Sequence, residues 1–106
     1  MDYIDKQFAK HGYKLISSDK FGAYYERKNS RFNYISKIAI IAKNNGNHLI
    51  QCYDAQVVYG CPEKNFDNYR IMNEVDGIDA SLSFWIWLKF RQLKRKYKWN
   101  KVNTND

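Results

Sequence analysis

The sequence predicts an α+β domain: a short N-terminal helix, a four-stranded antiparallel β-meander, and a long C-terminal helix packed on the sheet. Three observations carry this prediction. Residues 78–99 contain no Gly or Pro and place Ile78, Leu82, Ile86, Phe90, Leu93 and Tyr97 at spacings of four, four, four, three and four, an apolar stripe at helical period. Residues 13–54 divide into short runs of apolar and aromatic residues punctuated by turn residues, the pattern of strands joined by tight connections. Helical patterns flank the strand patterns in sequence, which marks α+β rather than alternating α/β.

Taken in order, residues 2–12 read as the first helix. Asp2 can cap its free N-terminal amides, Ile4, Phe8 and His11 share a face, and Gly12 suits the left-handed position after a helix end. Tyr13 to Ser18 is the first strand, Asp19 to Gly22 a turn, and Ala23 to Lys28 the second strand. Asn29 and Ser30 turn the chain into a long third strand, Arg31 to Lys43, with Phe32, Tyr34, Ile38 and Ile40 on one face and Ile35, Ala39 and Ile41 on the other. Both faces are apolar in its second half, so that part is central and covered. Asn44-Asn45-Gly46-Asn47 is the strongest hairpin signal, because Asn and Gly tolerate the positive φ of a tight turn. His48 to Asp54 is the fourth strand. Short turns between successive strands imply an antiparallel meander. Residues 55–77 show no clear period; Val57-Val58-Tyr59 could extend a strand, Gly60-Cys61-Pro62 would break it, and Phe66 and Tyr69 could pin the connection to the core.

The C-terminal helix has Asp79 as its N-cap and a run of cations at its far end, each where the helix dipole favours that charge. Phe84, Trp85, Trp87 and Leu88 lie off the apolar stripe. The first half of the helix is therefore apolar nearly all round, and the excess aromatics either pack on this chain's own sheet or dock a partner.

At 106 residues the chain is one domain, residues 1–101, followed by a free tail, 102–106. Nine Tyr, six Phe and three Trp let a short chain bury much area per residue. The net charge of +7 is unevenly placed: residues 89–106 hold seven Lys or Arg and one acid, whereas residues 54–79 hold six acids and two bases. The basic end faces either that acidic stretch or an anionic partner. Two cysteines, Cys52 and Cys61, and two isolated histidines, His11 and His48, form no zinc pattern or disulfide framework. The first residues lack the features of a secretory signal, and the longest apolar runs are five residues, too short to span a bilayer. The expectation is a soluble cytoplasmic protein with no cofactor, no metal and no membrane partner.

Catalysis has no support in the residue pattern. There is no nucleophile–base pair at recognisable spacing, and no phosphate loop around Gly46 or Gly77. Asp76 and Asp79 are explained by turn formation and capping. Two binding classes remain. A protein partner would meet Phe84, Trp85, Trp87 and Leu88. A nucleic acid or acidic partner would meet Lys89, Arg91, Lys94, Arg95, Lys96, Lys98 and Lys101, with Trp99 and Tyr97 available to stack on bases.

A resemblance adds a setting. Tyr3-Ile4-Asp5-Lys6-Gln7-Phe8, His11-Gly12-Tyr13, Phe21-Gly22-Ala23-Tyr24-Tyr25-Glu26, Phe32-Asn33-Tyr34 and Gly46-Asn47-His48-Leu49-Ile50-Gln51 resemble a group of small proteins of Gram-positive phages and prophages. The likeness covers residues 1–54; the aromatic and cationic C-terminal helix departs from that group. The group has no agreed activity, so no functional residues follow from it. What the resemblance implies is a mobile-element accessory protein acting in the host cell by binding. Its target would be a host protein or ribonucleoprotein, and inhibitors of host defence such as anti-CRISPR proteins belong to this class.

Overall fold

The computed structural model describes residues 2–28, 34–44, 46–57, 69–73 and 78–99. The chain folds in the order α1 (Tyr3–Lys10), β1 (Lys14–Asp19), β2 (Gly22–Lys28), β3 (Tyr34–Ile41), β4 (Leu49–Val57), β5 (Tyr69–Asn73) and α2 (Ala80–Lys96). The strands form one antiparallel sheet in sequential order. The expected α+β architecture and the four-strand meander are present. A fifth strand extends the sheet beyond β4, from within the segment whose sequence has no readable period. Phe32, Cys61, Phe66, Asp76 and the tail from Asn100 onward lie outside the described residues.

Each element follows from its residues. Asp2 caps α1 by accepting the Asp5 backbone N–H at 2.8 Å, and Gly12 follows the helix at φ 85°, a conformation that costs glycine little. At the β1–β2 turn, Asp19 accepts the Phe21 backbone N–H. Gly22 then approaches the neighbouring strand so closely that a Cβ would lie 2.1 Å from the Ile40 carbonyl oxygen. β1 carries a bulge between Leu15 and Ser17. The Asn-Gly signal falls inside a longer connection, residues 42–48, because Ile41 pairs with Leu49; Gly46 supplies the positive φ there, at 85°.

The strand pleat sorts the side chains. On the face toward the helices, Ala23 and Tyr25 of β2 stand beside Ile40 and Ile38 of β3. They meet Phe8 from α1, Leu82, Ile86 and Leu93 from α2, and Tyr13 and Trp99, in one buried core. The Phe8 and Tyr25 rings stack in parallel, with centroids 3.9 Å apart. β3 is the central strand and Ile35 through Ile40 are all buried, as its two apolar faces require. On the opposite face, Glu26, Lys37 and Tyr53 stand side by side across three strands. Lys37 pairs with Glu26 at 3.2 Å, and burial followed by the Glu26 charge pushes the Tyr53 hydroxyl pKa up.

α2 is capped as expected: Asp79 accepts the Leu82 backbone N–H at 2.7 Å. At its other end the Tyr97 N–H closes on Leu93 and Lys98 takes a left-handed φ of 53°. That reversal turns Trp99 back into the core, where its indole N–H donates to the Lys20 carbonyl at 3.0 Å. Among the described residues, no helix is long and apolar enough to cross a membrane.

One charged network joins the layers. Lys89 lies on the buried stripe of α2 with only 3% of its surface exposed. Its ammonium pairs with Asp5 at 3.1 Å and with Asp2 at 3.3 Å. Tyr25 donates to Asp5 at 2.5 Å, tying the pair to β2; burial, then Asp5, pushes the Tyr25 pKa far up. Burial alone would raise the Asp2 pKa, but the Asp5 backbone N–H and the Lys89 charge outweigh it and hold it below the ordinary 3.8.

Removing one partner from a buried pair strands the other charge. Lys89→Ala is therefore expected to destabilise the fold by about 3–5 kcal/mol, while the double change Lys89→Met with Asp5→Asn costs less than the single one. Urea denaturation of the three proteins checks this. A single change no worse than the double would show that the pair does not act as a unit.

Candidate functional site: the outer face of α2

The helical wheel divides α2 sharply. Leu82, Ile86, Lys89 and Leu93 point into the protein. Phe84 and Trp87 point away, 52% and 49% exposed, unusual for such large apolar side chains. Phe84 meets Trp85 edge-on, with centroids 5.1 Å apart. Trp85 is half-buried at the core margin and in turn meets Tyr3 of α1 edge-on at 5.6 Å. Tyr3 is exposed, so the aromatic surface runs from α1 onto α2.

The next turns of the same face are cationic. The Arg91 guanidinium lies over the Trp87 ring, 4.8 Å from its centroid, a cation–π contact that restrains it. Leu88, Arg91, Gln92 and Arg95 line a shallow cleft of about 150 Å³. An aliphatic side chain, an amide and two guanidinium groups meet there. Lys94 and Lys96 lie over the rings of Phe90 and Tyr97, and Arg95, Lys96 and Lys98 are exposed. None of Arg91, Lys94, Arg95, Lys96 or Lys98 forms a salt bridge with another described residue.

The structure therefore sorts the residues singled out from sequence. Phe84, Trp85, Trp87 and Leu88 form one surface, and Arg91 and Arg95 continue it. Two assignments are corrected. Lys89 is not a surface cation, because it sits in the middle of the core stripe and pairs with two carboxylates. Trp99 is not a free stacking platform, because it is 1% exposed and committed to the core. Lys101 lies outside the described residues. Sequence reasoning missed Tyr3, which joins the aromatic surface only through the packing of α1 on α2. It missed the role of Lys89 although a signal existed: Leu82, Ile86, Lys89 and Leu93 follow each other at spacings of four, three and four.

At the opposite end of α2, His11 Nδ1 lies 3.3 Å from Asp79 and Nε2 lies 3.4 Å from the Ser81 hydroxyl. The three residue types are those of a hydrolytic triad, but the bonding is that of a cap. The Ser81 hydroxyl donates to Asp79 at 2.9 Å instead of to the imidazole, and the same Asp79 oxygen accepts the Leu82 N–H. The Leu82 N–H, then the Ser81 hydroxyl, hold the Asp79 pKa below its ordinary value. Among the described residues no group of three His, Cys, Asp or Glu side chains is placed to hold a metal. No protein-family model, curated protein or solved structure matches this chain.

Two outcomes are expected. Ile86→Asp places an unpaired charge among Leu82, Leu93 and Phe8 and unfolds the domain, whereas Trp87→Ala shifts stability by about 1 kcal/mol or less because the ring is already half in water. Thermal melts followed by circular dichroism distinguish the two; equal losses would make the outer face part of the core. The second outcome concerns acid. A carboxylate whose folded pKa is depressed stabilises the fold above its unfolded pKa and loses that contribution as pH falls through the folded value. The stability advantage of the wild type over Asp79→Asn should be full near neutrality and shrink below the ordinary 3.8. Melts at about pH 6 and about pH 3 check this; an advantage that persists in acid would assign it to the cap geometry alone.

Proposed function

We propose that this protein is a non-enzymatic binding protein whose working surface is the outer face of α2, and that its partner is an acidic protein surface. The observation that carries the reading is the adjacency of two exposed aromatic anchors, Phe84 and Trp87, to a cleft rimmed by Arg91 and Arg95. Large aromatics and Arg are the residues that dominate protein interfaces. A guanidinium already stacked on Trp87 loses little freedom when it meets a carboxylate, and Leu88 gives the stem of an acidic side chain an apolar floor. The further cations of α2 would draw such a partner in and orient it.

The resemblance of residues 1–54 to small phage proteins extends this to inhibition of a host factor, with a CRISPR–Cas-type defence nucleoprotein among the targets that present both acidic protein and nucleic acid. Direct nucleic-acid binding is the alternative. It draws on the cations toward the end of α2, but the burial of Lys89 and Trp99 removes one cation and one of the two stacking rings that it would use.

Capture from a host lysate, with and without nuclease, followed by measurement of Kd for the recovered partner, tests the proposal. Trp87→Ala should weaken binding by about 2 kcal/mol or more, roughly thirtyfold, and nuclease should leave capture intact. Replacing Arg91 and Arg95 by Gln should weaken it further and reduce its salt dependence. Capture lost on nuclease treatment and indifferent to Trp87→Ala would favour the nucleic-acid reading. In that case the slope of log K against log salt should flatten by about 0.7–0.9 for each phosphate contact removed.

A further inference from the structure

A second concavity lies away from the outer face of α2, where the β1–β2 turn, the β3–β4 connection and the end of α2 converge. Its volume is about 240 Å³, and it is lined by Lys20, Phe21, Ala42, Lys43, Asn44, His48, Tyr97 and Trp99. We infer that this cavity binds a small aromatic anion, a one- or two-ring carboxylate or phosphate ester, between its aromatic walls with the acid group on Lys20 and Lys43.

Three observations lead there. The first is charge: the lining holds two ammonium groups and no acid, and both lysines are exposed, so neither is consumed by the core. The second is shape and chemistry. Phe21 and Tyr97 line it and the buried Trp99 backs it; at 240 Å³ the cavity falls just below the roughly 300–1,000 Å³ of drug-sized sites, which suits one or two rings. Phe21, 64% exposed, has little reason to sit at the mouth for the fold's sake.

The third observation is rigidity. The Ala42 N–H donates to the Phe21 carbonyl at 3.0 Å, and the Trp99 indole donates to the Lys20 carbonyl at 3.0 Å. The Lys43 N–H donates to His48 Nδ1 at 3.2 Å. These bonds brace the three walls against one another, so the cavity exists before a ligand arrives and little ordering opposes binding. A wall that holds two cations and no acid is complementary to an anion.

The test is a titration of the full chain with indole-3-carboxylate and, separately, phenyl phosphate, followed by NMR of the Trp99 indole N–H and the His48 ring. At least one anion should give saturable shifts at Trp99 and His48 while the Trp85 and Trp87 indoles stay still; the tighter of the two names the acid. Indole-3-carboxamide, the neutral counterpart, should bind at least tenfold more weakly. Lys20→Gln and Lys43→Gln, both at exposed positions, should each weaken the anion several-fold to tenfold with unchanged melting. Phe21→Ala should weaken carboxylate and carboxamide alike. Absence of saturable shifts with either anion, equal affinity for the carboxamide, shifts confined to Trp85 and Trp87, or indifference to both lysine changes would overturn the inference.

Discussion

The ammonium of Lys89 is the point at which α1, α2 and β2 are tied together. α1 has eight residues, too few to be stable alone, and it is held by two kinds of contact. Phe8 stacks on Tyr25, and Asp2 and Asp5 close on Lys89. Apolar packing tolerates sliding and rotation, whereas a buried charge with two specific acceptors does not. The network therefore sets where α1 sits along α2, and the Tyr25 hydroxyl sets both against β2. With Lys89 aimed inward, helical geometry puts Phe84, Trp87 and Arg91 outward. The orientation of the proposed binding face and the integrity of the core are thus one constraint.

Much of the fold could be read from residues. Asp2 and Asp79 are caps because short acidic side chains reach free amides, and both serve so here. The alternation of Tyr34 to Ile41 with both faces apolar identified the central strand, and the turns around it forced a meander. β5 escaped because five residues, Tyr69–Asn73, carry no alternation that could be separated from the polar stretch before them. Connection length escaped too: Asn-Gly indicates that the chain reverses, not how many residues take part, and Ala42 to His48 do so here.

The site was legible at the level of a face but not of a side chain. Of the four residues off the stripe, Phe84 and Trp87 stand exposed while Trp85 and Leu88 are half-buried. In sequence the cations form one run, but helix geometry distributes them round the axis: Lys89 inward, Arg91 and Arg95 outward, Lys94 toward Phe90. Trp99 lay beyond the helix end, where a single left-handed residue, Lys98, redirects the chain. Lysine is not a residue whose sequence announces that conformation. The same reversal separates two environments by one residue, with Lys98 in solvent and Trp99 forming a wall of the cavity below.

The bulge in β1 has a consequence for the protein as a population rather than as a molecule. Among the described residues β1 is an edge strand whose outer backbone groups meet no other strand, and it carries Ile16 exposed. A flat edge of that kind is a template on which a second copy can continue the sheet. The irregularity between Leu15 and Ser17 breaks the even spacing of donors and acceptors that such growth needs. Crowding many copies of the chain together should therefore leave them as separate particles at this edge, instead of seeding a ribbon.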